Sequence, residues 1–285
     1  MKKTLLNIIF ILSLISSLFY FVKLSNKQNI STSEPLIIVL SPHFDDGVLS
    51  LGGYVAKHEK ELLVATFFTQ KPAYIVHTEW DKISGFSNSD EAFIARRNEN
   101  QNALNPFNAK IKNYDYPDFQ YRTENKDQEI RENISKDIET LMATYQNREL
   151  FIYGPATFGS KITHPDHQIV HDALMNVWKK NKKPNVHFLI YEDFPYILRF
   201  NKSNLGDLNI YLEKTENIKF REEPIELSRE QLSEKVSNIS LYKSQIRAFM
   251  SSGEDIKVLA QKFYKERCKK TLPEAYACEI VYTAP

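Results

Sequence analysis

The sequence predicts an α/β protein, a mainly parallel sheet with helices on both faces in a Rossmann-like order. Short apolar runs rich in β-branched and aromatic residues carry the first half of that prediction. Leu36–Leu40 (LIIVL), Leu62–Phe68 (LLVATFF), Leu150–Tyr153 (LFIY) and His187–Tyr191 (HFLIY) read as strands buried on both faces. Longer segments with helical spacing lie between them, and such alternation implies right-handed crossovers and a parallel sheet. A chain of 285 residues, 42% hydrophobic and 26% charged, is long enough for one such sheet and too apolar for disorder.

From the N-terminus, Thr4 to Val22 holds no charged residue, is dominated by Leu, Ile and Phe, and follows Lys2 and Lys3. Its 19 residues nearly span a hydrocarbon core of roughly 30 Å. The apolar run continues past Ser16 and Ser17 with no Ala-x-Ala pattern, so it reads as an uncleaved anchor, with a cleaved signal as the alternative. The expected organisation is an anchor and linker over residues 1–30 and one domain over 31–285, membrane-anchored or exported and extracytoplasmic. Cys268 and Cys278, ten positions apart, either close a disulfide in such a compartment or remain free thiols.

Leu36–Leu40 is followed by Ser41 and Pro42, and a helix is expected from about Leu49. Then come the Leu62–Phe68 strand, a polar amphipathic helix over Glu91–Leu104 and a weak strand at Ile111–Tyr114. Asp127–Tyr145 spaces Ile130, Ile134, Ile138 and Leu141 at helical intervals. A loop of small residues leads from Leu150–Tyr153 into a helix over Pro165–Lys180, whose lysines read as its solvated end. Asn201–Glu226 has lower apolar density, which suggests a hairpin or a substrate-side insertion, and Gln231–Met250 reads as a closing helix. Net charge is +1, from 37 basic and 36 acidic side chains with no basic stripe, which argues against a nucleic-acid partner.

Two clusters carry chemistry. SPHFDDGVLSLGG, Ser41 to Gly53, follows the first strand, so His43, Asp45 and Asp46 sit where a strand end opens into a crevice. Imidazole and carboxylate suit zinc, whose catalytic sites keep one position open. No GxGxxG or GxxxxGK[ST] pattern accompanies Gly52 and Gly53, which argues against a nucleotide loop. THPDHQ, Thr163 to Gln168, places His164 and His167 three apart across Pro165, on a first helical turn; His171 offers a competing pair with His167.

These two motifs resemble those of the PIG-L (LmbE-like) family of N-deacetylases, HPDD followed at a distance by HxDH. The resemblance extends to Arg96 and Glu99 in RRNENQNAL, Asp118 in YPDF and YKSQ at Tyr242 to Gln245. It implies that His43, Asp46 and His167 bind the metal, zinc or iron(II), that Asp45 is the general base, and that His164 stabilises or protonates the tetrahedral intermediate. It further implies that Arg96 and Asp118 hold substrate hydroxyls; on the residues alone, Arg96 and Arg97 equally suit surface ion pairs with Glu91 and Glu99. Phe44 replaces the family's usual Pro, and Gly47 stands where many members carry Glu, which bears on subfamily and substrate. Asp166 reads as a partner for a ligand histidine or as a helix cap. Tyr191 to Tyr196 (YEDFPY) brings aromatics and carboxylates near the crevice.

The function expected is removal of an N-acetyl group from an amino-sugar glycoconjugate. The alternatives are a catalytically silent carbohydrate-binding protein of the same fold, or a related hydrolase acting on another amide or an ester.

Overall fold

A computed structural model describes residues 34–57, 61–181, 183–201, 207–250 and 255–284. Residues Glu34–Pro285 form one compact unit. The apolar segment at residues 4–22 lies outside the described residues, among which no helix is long and apolar enough to cross a membrane.

The first half alternates as expected: β1 (Leu36–Ser41), α1 (Asp46–Lys57), β2 (Glu61–Thr66), α2 (Glu79–Ser84), α3 (Ser89–Leu104), β3 (Lys110–Asn113), α4 (Asp127–Thr144), β4 (Leu150–Pro155), α5 (Pro165–Lys180) and β5 (Val186–Tyr191). The rest comprises α6 (Tyr196–Asn201), α7 (Leu208–Glu216), β6 (Arg221–Leu227), α8 (Arg229–Ile239), α9 (Lys243–Met250), α10 (Ile256–Arg267) and β7 (Ala277–Thr283). Seven strands form one sheet in the order β3-β2-β1-β4-β5-β7-β6. The first five are mutually parallel, whereas β7 runs antiparallel to β5 and β6 antiparallel to β7.

Alternation along β1 divides the core. Leu36, Ile38 and Leu40 pack with Ile134, Ile138 and Val170 under α4 and α5, while Ile37 and Val39 join Val48, Leu51 and Val236 under α1 and α8. Helices thus cover both faces, as a sheet of apolar strands requires.

Several elements differ from the sequence expectation. Asn201–Glu226 is not a hairpin; its described part holds the helix α7 and the edge strand β6. The expected closing helix over Gln231–Met250 is two helices, interrupted by tight turns in which Leu241 and Tyr242 donate to Asn238 and Ile239. That break turns the buried Tyr242 hydroxyl toward Asn100. Helix α1 begins at Asp46 rather than near Leu49, because Ser41 Oγ accepts from Gly47 N and Asp46 Oδ2 from His43 N, closing the strand–helix turn. Cys268 and Cys278 form a disulfide between the end of α10 and β7.

Order reverses between β1 and β4, which both neighbour each other and send their chains away to opposite sides of the sheet. The crevice beyond the carboxyl ends of these two strands is the place where such sheets bind ligands.

Candidate metal centre

Both motifs meet at that crevice. The β1–α1 turn presents His43, Asp45 and Asp46, and the β4–α5 connection presents His164 as the N-cap of α5 and His167 in its first turn. His167 Nε2 lies 3.2 Å from His43 Nδ1 and 3.2 Å from Asp46 Oδ2, and those two atoms are 3.3 Å apart. Three donors on bonds of 2.0–2.1 Å to a tetrahedral ion stand about 3.3–3.4 Å from one another, so this triangle has the size that zinc needs and leaves a fourth position open.

Each imidazole is held from behind by a carboxylate. Asp166 Oδ2 is 3.0 Å from His43 Nε2, and Asp193 Oδ2 is 2.6 Å from His167 Nδ1. Asp166 also accepts from Phe119 N and pairs with Arg122 at 2.7 Å. Its own backbone N–H is capped by His164 Nδ1, so His164 and not Asp166 caps the helix.

Charge supports the same reading. Asp45, Asp46, Asp118, Asp166 and Asp193 are all buried, and among the described residues the guanidinium groups of Arg96 and Arg122 are the fixed cations paired with them. Excess negative charge in a poorly solvated site calls for a cation. Burial disfavours the charged imidazole of His43, yet Asp118, Asp166 and Asp46 together raise it to about 10. His167 behaves alike: burial lowers it, and Asp193 and Asp46 raise it well above the usual range. Protons on these rings stand in for the charge that a divalent metal would bring.

Asp45 differs from its neighbour. Burial raises it, Asp46 adds to that, and Arg96 opposes, with the result at about 6. Its Oδ1 is buried without a hydrogen-bond partner, 3.9 Å from Arg96 Nη2. His164 is pushed down to about 4, by burial first and then by His43 and His167. It is therefore neutral near pH 7, and because Nδ1 accepts from Asp166 N, its proton resides on Nε2. The geometry thus supplies a neutral donor at this position.

Arg96 and Asp118 stand together, Nη1 to Oδ2 at 3.4 Å, against the centre. Arg96 is 8% exposed, which rules out the surface ion pairs: Glu91 accepts from Ser87 N and Glu99 from Ser244. His171, one turn further along α5, is buried and bonded to Pro155 O and Glu216 instead of to the donors of the centre. Asp193 and Arg122 were not singled out from the sequence. The signal for Asp193 was its place at the end of β5, where the parallel strands deliver their functional side chains.

The centre opens into a cleft of about 1000 Å³. His43, Asp45, Asp46, Arg96, Asp118 and His164 line it at the centre, and α6, α9 and α10 contribute the apolar Leu198, Phe249, Ile256, Leu259 and Phe263 together with Arg199, Gln245, Lys262 and Glu266.

A switch-point crevice with three converging donors, an unpartnered carboxylate and a neutral imidazole N–H defines an α/β protein with a metal-type hydrolytic centre. Residues 38–178 match the PIG-L family model, described as GlcNAc-PI de-N-acetylase. No curated protein matches the sequence. Among solved structures, teicoplanin deacetylase in its zinc-inhibited form is 21% identical with a TM-score of 0.68, over 87% of this chain and 97% of that one. The N,N'-diacetylchitobiose deacetylase of Pyrococcus horikoshii is 13% identical with a TM-score of 0.55, over 90% and 85%. The 4-carboxy-2-hydroxymuconate hydratase GalB of Pseudomonas putida is 14% identical with a TM-score of 0.51, over 88% and 95%. Identities this low establish a common fold, and the fold also serves a hydratase, so the chemistry has to be argued from the site.

Proposed function

We propose that this protein is a zinc-dependent hydrolase that removes the N-acetyl group from an amino-sugar glycoconjugate. The observation that carries the reading is the donor triangle of His43, Asp46 and His167 with Asp45 and the His164 N–H beside it. A divalent metal held by these three supplies what amide hydrolysis needs, acidification of a water and polarisation of the carbonyl. Iron(II) suits the same nitrogen and oxygen donors.

The residues of the chain do the rest. Asp45, ionised at neutral pH and lacking a partner at Oδ1, takes the proton of the attacking water and delivers it to the departing amine. His164 Nε2–H donates to the oxygen that becomes negative, and because the ring is already neutral it needs no prior protonation. Arg96 and Asp118 form a donor and acceptor pair suited to sugar hydroxyls. The apolar side chains that α6, α9 and α10 bring to the cleft suit the non-sugar part of the substrate.

We further place this domain outside the cytoplasm. The apolar stretch from Thr4 to Val22 supports that reading, as does the Cys268–Cys278 disulfide, since such bonds persist in oxidising compartments. Fractionation of cells with intact protein tests it; recovery in the cytosol with residues 1–30 still attached overturns it.

The function is tested by acetate release from N-acetylglucosamine glycosides. Release should require metal and fall about 100-fold or more in Asp45→Asn, while the variant still binds zinc. A fully loaded enzyme inert toward a panel of N-acetyl sugars contradicts the proposal.

A further inference from the structure

The matched family region ends at residue 178, yet one wall of the centre comes from beyond it. We infer that Asp193 is a positioning residue which fixes the tautomer and orientation of His167, so that Nε2 is presented to the metal. This rests on the metal-dependent reading above.

Asp193 and His167 are both completely buried, and the bond between Oδ2 and Nδ1 is 2.6 Å. A carboxylate only accepts, so the proton of neutral His167 is on Nδ1, leaving the lone pair of Nε2 directed at His43 Nδ1 and Asp46 Oδ2. The same contact makes the ring a more basic ligand. Asp193 is not itself a member of the donor triangle: its Oδ2 is bonded to Nδ1, whereas the triangle uses Nε2, although its carboxylate also lies within 4.8 Å of donor atoms of His167 and Asp46.

What distinguishes it from Asp166 is its dedication to one partner. Asp166 divides its charge among His43, Phe119 N and Arg122. Asp193 makes its one side-chain hydrogen bond to His167, and its Oδ1 has no partner.

The segment that carries it is clamped on both sides. Glu192 N donates to Ile280 O on β7, Phe194 N to Ser50 Oγ on α1, and Ile197 N to Asp193 O. Glu192 points away from the centre to Arg267 and Tyr282. Rotation of Asp193 is therefore restrained by the sheet and by the helix that begins at Asp46, a rigidity that a helper of a metal ligand needs.

The test is zinc affinity, measured by chelator competition on full-length protein stripped of metal, for wild type and Asp193→Asn. Asn keeps the shape and removes the charge. The expected result is zinc binding about 10–100-fold weaker in Asp193→Asn, read on a variant whose metal-free form is shown by circular dichroism to be folded. Affinity equal to wild type in a folded variant overturns the inference and leaves the hydrolase reading standing. A wild type that takes up no zinc overturns both. If Asp193→Asn does not fold, imidazole nitrogen NMR of the zinc-loaded wild type decides: a proton on His167 Nδ1 is expected, and a proton on Nε2 overturns the assignment.

Discussion

Asp45 and Asp46 are adjacent, buried and chemically opposed. Burial pushes both upward, but His167 and His43 hold Asp46 far down, while Asp45, raised further by Asp46, is left at about 6 against the opposition of Arg96 and His43. One neighbour is thus suited to ligation and the other to proton transfer, a division the order of letters in HFDD cannot reveal. Activity should fall on acidification through an apparent pKa at or below about 6, because the base must be ionised and bound metal would lower Asp45 further. A pH profile of kcat/KM checks this, and Asp45→Asn should lose about 100-fold or more at every pH. His164→Ala should lower kcat by about 100-fold, with zinc affinity preserved. The ligand histidines were legible because two acid-and-histidine clusters follow separate strands. Asp193 was not, since of the two acids in the aromatic run YEDFPY neither shows its partner until the elements are placed side by side.

Helix α1 delivers Asp46, and its middle is held by side chains from three other elements. Glu279 on β7 accepts from Gly53 N and Tyr54 N, and Tyr264 of α10 donates to Leu49 O. Lys235 of α8, completely buried, pairs with Glu279 at 2.6 Å. Removing one partner strands a buried charge, so Glu279→Ala should cost about 3–5 kcal/mol in urea unfolding, and Lys235→Met combined with Glu279→Leu should recover much of it. Gly53 admits no side chain cheaply, since an added Cβ would lie 2.6 Å from a methyl of the fully buried Leu227. Gly53→Ala should therefore destabilise by about 1–3 kcal/mol on the same assay. These contacts explain why the C-terminal elements escaped the sequence reading. Their polar residues, Glu279 above all, interrupt the apolar pattern of a strand but are satisfied by partners more than 40 positions away.

Over the whole molecule, the parallel half of the sheet was readable and the antiparallel half was not. β1, β2, β4 and β5 are near-continuous apolar runs, because both of their faces are covered, and period alone identifies them. β6 (REEPIEL) is an edge strand with mostly partial burial, and its charges serve Arg267, Thr283 and solvent instead of a core. The division has a functional counterpart: the parallel half supplies the donors, and the helices after β5 supply the apolar side chains of the cleft. Substrate preference should therefore reside in α6, α9 and α10, so that Leu259→Asp raises KM for glycosides with apolar aglycones far more than for simple N-acetyl sugars.

The most direct test of metal-dependent deacetylation is a zinc titration of acetate release, from an N-acetylglucosamine glycoside, by protein stripped of metal. Activity rising from zero to a plateau at one zinc per chain is the result predicted by a single site at His43, Asp46 and His167. Acetate release by the stripped protein, or none from protein carrying a full equivalent of zinc, would contradict it.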